Sequence, residues 1–396
     1  DDLQGANLSE GTLPQIPQND ITKTKMASFY GRVNYSYKDR YLLTATFRGD
    51  GSSKFGRNNK WAYFPSFALA WRISEEPFMK KVNWITNFKL RAGYGLSGSQ
   101  AISPYQSLCL LTTDGYYFGG NYVKGIGVGK YEWSASGGVY TGLGEPDLKW
   151  ETTEQINVGV DLGFLKNRFN LVVDLYEKNT RDLHQMVELP LESGYSYTVR
   201  NMGKIRNRGL EVTLQANLRF GEFKWYPSVN YYMNRNKIMS LGGKYTYVDG
   251  PALISGDGGE PFRGHIAIEG HPMGMFYGYK TNGIIQNSEQ ASEYSSSVGK
   301  LEPGEVRYVD ISGPEGRPDG KVDSYDRTII GNPHPDFEIN FSNRFSWRNL
   351  EFSFNIAGVY GNDILNVNLS QIESGTCSRV ESARMRDMWT IYNPSN

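Results

Sequence analysis

Asp310, Ser312, Asp319, Asp323 and Asp326 place oxygen atoms along one short stretch rich in Gly and Pro. Hard cations take carboxylates strung along a tight turn, as in the Asp-x-Asn-x-Asp-Gly loops that hold calcium. A calcium site on Asp310, Asp319, Asp323 and Asp326 is therefore one reading, and a Gly/Pro/Asp turn cluster that needs no ion is the other. A second stretch, 114–140, holds Tyr116, Tyr117, Phe118, Tyr122, Tyr131, Trp133 and Tyr140 among many glycines. Rings in such a loop stack on sugars, pack against a partner protein or pack on one another.

No other constellation suggests covalent chemistry. His184, His265, His271 and His334 lack the spacing of zinc ligands and read as turn or surface residues. The chain has no Gly-x-Ser-x-Gly element and no paired Cys/His arrangement. Glu75-Glu76 precedes Pro77 at a turn, where solvated charge explains the pair better than glycosidase carboxyls facing each other across a cleft. Cys109 and Cys377 both fall in loop-like segments, and an oxidising compartment would permit a bridge that the sequence does not demand. Lys+Arg and Asp+Glu balance at 42 each, so no global field favours nucleic acid. The reading is of a protein that is not an enzyme.

The elements that position these residues are strands. No apolar run approaches the length of a membrane-crossing helix, whereas 45 Gly and 27 Tyr favour turns and amphipathic aromatic surfaces. Apolar residues recur at every second position: Phe29, Gly31, Val33, Tyr35 and Tyr37 oppose Tyr30, Arg32, Asn34, Ser36 and Lys38. After Lys38-Asp39-Arg40 the scheme repeats with Tyr41, Leu43, Ala45 and Phe47 against Thr44, Thr46, Arg48 and Asp50. Phe67–Ile73, Phe88–Tyr94, Ile156–Phe164, Phe169–Leu175, Val212–Leu218, Trp225–Tyr231, Phe337–Phe345 and Leu350–Ile356 continue it. About ten strands are predicted, many longer than the five or six residues usual in soluble sheets.

A soluble sandwich or propeller would also alternate. Three features favour a wall that crosses a membrane. The strands suit a tilted bilayer crossing, and their polar faces carry Arg, Lys, Asp and Asn as a watery lumen would. Trp61, Tyr63, Phe64, Trp84, Trp225 and Tyr232 sit near strand ends, where rings can place a polar tip at the headgroups. Tight turns at 38–40, 165–167, 220–222 and 347–349 alternate with long Gly-rich stretches at 97–151, 179–209 and 235–335, as periplasmic turns alternate with external loops. If the tight turns are periplasmic, both chain ends lie outside, and a fragment is expected. Residues 1–27 would then be an external loop segment, 28–359 barrel strands with their loops, and 360–396 another loop segment.

The ordered motifs resemble the SusC/RagA-type TonB-dependent outer-membrane transporters. They are Ala27–Tyr35 with Tyr41–Gly56, Trp71–Phe78, Leu90–Gln100, Leu148–Gln155, Asn207–Glu211, Met275–Lys280 and Asp326–Pro335. The resemblance implies an all-β, transmembrane antiparallel barrel of about 22 strands, with an N-terminal plug and C-terminal strands that this chain lacks. It also implies a TonB complex as energy source, a SusD-like surface lipoprotein as lid, outer-membrane lipid around the wall and a glycan or peptide cargo. A homodimer of transporter–lipoprotein pairs is a further implication. Between Asp310 and Asp326 the chain departs from the family pattern, because Gly313 to Pro318 inserts Pro314, Glu315 and Pro318. The rival functions are a passive porin or structural barrel and a soluble carbohydrate-binding β-protein.

Overall fold

The structure is a computed structural model and describes residues 21–119, 121–128, 130–132, 139–242, 247–249, 264–373 and 382–394. Ten strands of eleven residues or more dominate the described residues, and α-helix is confined to Ser288–Glu293 and Val367–Ile372. The chain divides into two compact units, residues 1–226 and 227–396.

In the first unit, β1 (Met26–Tyr37), β2 (Tyr41–Ser52), β3 (Trp61–Arg72) and β4 (Ile85–Ser99) precede β5 (Glu151–Phe164), β6 (Phe169–Arg181) and β7 (Lys204–Ala216). Each pairs antiparallel with the next. The tight turns fall where the sequence predicts them. Lys38 and Asp39 adopt φ of 50° and 52°, and Leu165, Lys166 and Asn167 adopt 51°, 61° and 58°. Left-handed backbone is unusual outside Gly, Asn and Asp, so a turn of this kind needs outside support. Thr86 supplies it: its Oγ1 accepts from Lys166 N at 2.8 Å, while the Trp84 carbonyl accepts from Leu165 N at 2.9 Å.

Register converts alternation into two unlike faces. Tyr35, Leu43, Leu69, Ala92, Val158, Leu175 and Leu210 lie opposite one another in sequence across β1 to β7. Most of this row is open to its surroundings: Leu69 and Leu175 are 57% and 55% exposed. Monomeric soluble proteins rarely leave contiguous apolar patches beyond a few hundred Å². At about 25 cal/mol per Å² such a belt is far more stable against hydrocarbon than against water. The opposite face carries the row Ala70, Arg91, Gly159, Asp174 and Glu211, and beside it Ala68, Gly93, Asn157, Tyr176 and Gly209.

Glycines on this polar face leave room for their neighbours. A Cβ on Gly159 would stand 2.3 Å from Asp174 Oδ1 and 2.8 Å from Arg91 Nη2. The Tyr176 ring occupies the space above Gly209 in the same way, at 2.2 Å.

The ladder between β3 and β4 runs from Arg72↔Lys89 to Ser66↔Gly95 and goes no further. Pro65 follows, and it has no N–H to donate. Phe64 turns its ring into the resulting gap, where a Cβ on Gly98 would meet it at 2.1 Å. Phe64 meets Trp150 edge-on at 5.8 Å, and Trp150 packs on Phe55 at 4.8 Å. With Ile102, Leu148, Tyr197 and Val199 these rings form a buried core drawn from β3 and three connections. Phe64 is therefore not one of the interfacial rings expected at strand ends. It alternates away from Trp61 and Tyr63, which remain 47% and 60% exposed.

β8 (Phe223–Ser240) begins in the first unit, where Leu218–Phe220 pairs with its start around Gly221 at φ 62°. In the second unit β9 (Phe337–Trp347) and β10 (Leu350–Tyr360) pair over their full length around Arg348 at φ 52°. Phe337 stacks between Tyr231 of β8 and Tyr360 of β10, at 5.5 and 5.2 Å. The described residues of the long stretch 235–335 form more than a structureless loop. His265–Ile268, Met275–Gly278 and Thr328–Gly331 join one small sheet, and Thr281–Ile284 pairs with Val306–Tyr308. Local pairing satisfies backbone groups that a bare loop would leave to water.

Gly159→Val in the full-length protein is expected to lower thermal stability by about 1–3 kcal/mol through loss of the Arg91–Asp174 contact. Gly31→Val is the control, since nothing lies within 4 Å of its would-be Cβ. It should be neutral or slightly stabilising in the same thermal scan.

Candidate functional site

On the polar face Arg91 reaches two strands at once. Its Nε donates to Asp161 Oδ1 at 2.9 Å, and its Nη2 donates to Asp174 Oδ2 at 2.9 Å across Gly159. Lys89 Nζ approaches Asp161 Oδ2 at 3.4 Å. Two cations thus face two carboxylates, so the cluster is neutral and its charges are spent on one another. Around it the face offers Thr44, Ser66, Gln155 and Asn157, groups that hydrogen-bond without selecting a sign of charge. An open recess of about 490 Å³ lies along β2 to β5 here. Alternation predicted the polar face, but the pairing of Arg91 with Asp174 depends on a cross-strand register that one sequence does not reveal.

Six of the seven predicted aromatic residues lie on paired strands. Leu111–Phe118 and Asn121–Val128 form a hairpin that sets Tyr117 opposite Tyr122, with Tyr116 opposite Val123 and Phe118 opposite Asn121. Tyr131 and Tyr140 are opposite one another in a second ladder. Trp133 lies outside the described residues. Val139–Leu143 then runs parallel to Tyr197–Asn201, with Gly142 against Tyr197, and Thr198 Oγ1 donates to the Leu143 carbonyl at 3.0 Å. Through Tyr197 and Val199 this aromatic segment is tied to the buried core behind Pro65.

The carboxylates between 310 and 326 are engaged by backbone N–H groups. Asp326 is fully buried; its Oδ1 accepts from Ile311 N and Ser312 N at 2.6 and 3.0 Å, and its Oδ2 accepts from Asp323 N at 2.7 Å. Asp323 Oδ1 accepts in return from Tyr325 N, forming a capping box on the turn Ser324–Asp326. Asp310 Oδ2 accepts from Gly320 N, and Asp319 Oδ1 accepts from Lys321 N. Among the described residues no three His, Cys, Asp or Glu side chains converge as metal ligands. Burial pushes the Asp326 carboxyl up, but the three N–H donors outweigh it and hold the group below its usual value.

Two groups depart from their sequence reading. Glu75 is paired with Arg72 in the open, whereas Glu76 is buried and gathers Tyr41 Oη at 2.8 Å, Trp71 Nε1 at 3.1 Å and Arg40 Nη1 at 3.2 Å. The Tyr41 and Trp71 hydrogen bonds hold its carboxyl below the usual value against the effect of burial. Its partners come from β2 and β3, too distant in sequence for a dipeptide reading to find. His184 is likewise not a surface histidine. Its side chain is 5% exposed, stacks on Phe55 at 5.9 Å, and sets Nε2 2.7 Å from the Lys149 carbonyl. His334 Nε2 lies 2.6 Å from the Met273 carbonyl, and His265 packs on Phe276. Cys109 is a free, exposed thiol, and Cys377 lies outside the described residues.

Asp326→Asn is expected to speed amide exchange at Ile311, Ser312 and Asp323 by the equivalent of about 1–3 kcal/mol. The stabilisation from Asp326 is complete above its unfolded value near pH 4 and is lost as pH falls through the lower folded value. Exchange measured from pH 5 downwards should show this. If the turn needs no ion, calcium chelation should leave these amides unchanged, and a chelator-sensitive loop would support the calcium reading.

The profile of the TonB dependent receptor-like, beta-barrel family matches residues 1–360. TonB-dependent receptor P3 of Formosa agariphila is 33% identical over 98% of this chain and 37% of its own length. TonB-dependent receptor SusC of Bacteroides thetaiotaomicron is 31% identical over 86% of this chain and 32% of its own. A solved structure described as the RagAB peptide transporter agrees in fold, with a TM-score of 0.76 at 24% identity over 97% of this chain and 38% of that one. The chain thus spans about a third of the length of the curated relatives it matches. Its two-faced antiparallel wall is a section of a transmembrane barrel, and the chain belongs to the TonB-dependent receptor-like β-barrel family.

Proposed function

We propose that this chain supplies wall and external loops to a SusC-like importer in the outer membrane of a Gram-negative bacterium. The importer takes up a bulky polar nutrient, an oligosaccharide or oligopeptide, using energy delivered through TonB. The observation that carries this reading is the neutral polar face. Arg91 and Lys89 are matched by Asp161 and Asp174, and amides and hydroxyls surround them. Such a surface hydrogen-bonds sugar hydroxyls or peptide amides in passing without trapping either sign of charge. The 31% identity to the relative named SusC supports the same class.

In this reading a SusD-like lipoprotein covers the loops that carry Tyr116, Tyr117, Phe118, Tyr122, Tyr131, Trp133 and Tyr140. Those rings contact cargo or the lid. The mechanism is binding and gating, with no covalent step. The TonB-contacting segment and the plug are assigned to parts of the full-length transporter outside the matched wall.

Collapse of the proton-motive force should abolish uptake of a fluorescent oligosaccharide or oligopeptide by cells expressing the full-length protein. Uptake that persists would identify a passive pore, and recovery of the protein in the aqueous fraction after membrane removal would identify a soluble β-protein. Replacing Tyr116 and Tyr140 together by Ala should weaken capture of either cargo or lipoprotein by about tenfold, read by pull-down and ligand titration. Unchanged binding of both would leave these rings a packing role only.

A further inference from the structure

The apolar face of the wall is interrupted by a groove. Tyr35, Leu43, Leu69, Trp71, Ala92 and Val158 line an open depression of about 620 Å³. Register explains it: in the row Tyr35, Leu43, Leu69, Ala92 and Val158, only Ala92 has a side chain of one carbon. Towards the long loops, the next outward pair on these strands is Phe67 with Tyr94, beyond the residues that line the depression. Towards the tight turns, Tyr41 and Trp71 stack at 6.3 Å and aim Oη and Nε1 at Glu76. Those polar tips mark the headgroup level.

The turns just beyond are basic on balance. Lys38, Arg40, Arg72, Lys80 and Lys81 outnumber Asp39, Glu75 and Glu76. Lys38 Nζ stands 5.2 Å over the Tyr37 ring, at the polar end of the groove. An apolar depression with aromatic tips and positive charge at its turn end has the polarity of a phospholipid: tail inward, phosphate at the turn.

We propose that this groove binds one acyl chain of a phospholipid from the leaflet on the tight-turn side, with the phosphate held at the basic turn by Lys38. The inference rests on the membrane reading above and adds to it a defined site, in place of undifferentiated contact with the bilayer. A second copy of the chain could also cover an apolar face, but it would need neither the depression at Ala92 nor the basic turn at its end.

Native mass spectrometry of the full-length transporter, extracted in mild detergent, tests this. Wild type should retain one phospholipid, and delipidated protein should recover it when phosphatidylethanolamine is added back. Ala92→Phe fills the depression and should lower occupancy about tenfold. Lys38→Glu should lower it less, while Gly31→Leu, elsewhere on the same face, should leave it unchanged. Equal retention in wild type and Ala92→Phe would overturn the proposal, as would a second protein copy in place of lipid. Membrane fractionation of each variant separates these results from failure of the membrane reading itself, which would show as wild-type protein in the aqueous fraction.

Discussion

The guanidinium of Arg91 crosses the empty position of Gly159 to reach Asp174, and the first unit's wall is organised around that reach. A one-residue slip in any strand would exchange its two faces. In β4 or β6 it would carry Arg91 or Asp174 onto the apolar side, where an unpaired charge costs several kcal/mol. The same slip would place Leu90 or Leu175, on those two strands, on the polar side. Each face therefore fixes the register of the other. The bridge adds a directional contact to a hydrophobic pattern that on its own specifies only parity.

Much of this was legible in the sequence because alternation and turn chemistry are local. Phe29 to Tyr37 reads as one strand without knowledge of its partner, and Lys38-Asp39 and Arg348-Asn349 announce turns through residue types that suit a tight bend. What escaped was pairing across distance. Glu76 looks solvated beside Glu75 until Tyr41 and Trp71 arrive from two strands. His184 looks superficial until Phe55 and Lys149 close over it. Phe64 is an instructive intermediate case, since alternation already separates it from Tyr63, yet only the interruption at Pro65 gives its ring somewhere to go.

The Asp310–Asp326 stretch shows how one composition supports two physical answers. Carboxylates on a tight turn can gather around a cation, or they can accept from the N–H groups that the turn leaves free. Asp326 does the latter three times over, and Asp323 completes a reciprocal cap. Pro314, Glu315 and Pro318 lie in the middle of the loop, and buried hydrogen bonds hold its two ends together around Asp326.

The interruption at Pro65 has a consequence for how such a protein can change. Below it, β3 and β4 are joined by backbone hydrogen bonds, which are indifferent to side-chain identity. Above it, the join is made by Phe64, Trp150, Phe55 and their neighbours. A seam of the first kind is inherited unchanged through almost any substitution, whereas a seam of the second kind can be rewritten one residue at a time. The upper rim can therefore take on new loop shapes while the crossing strands beneath keep one geometry.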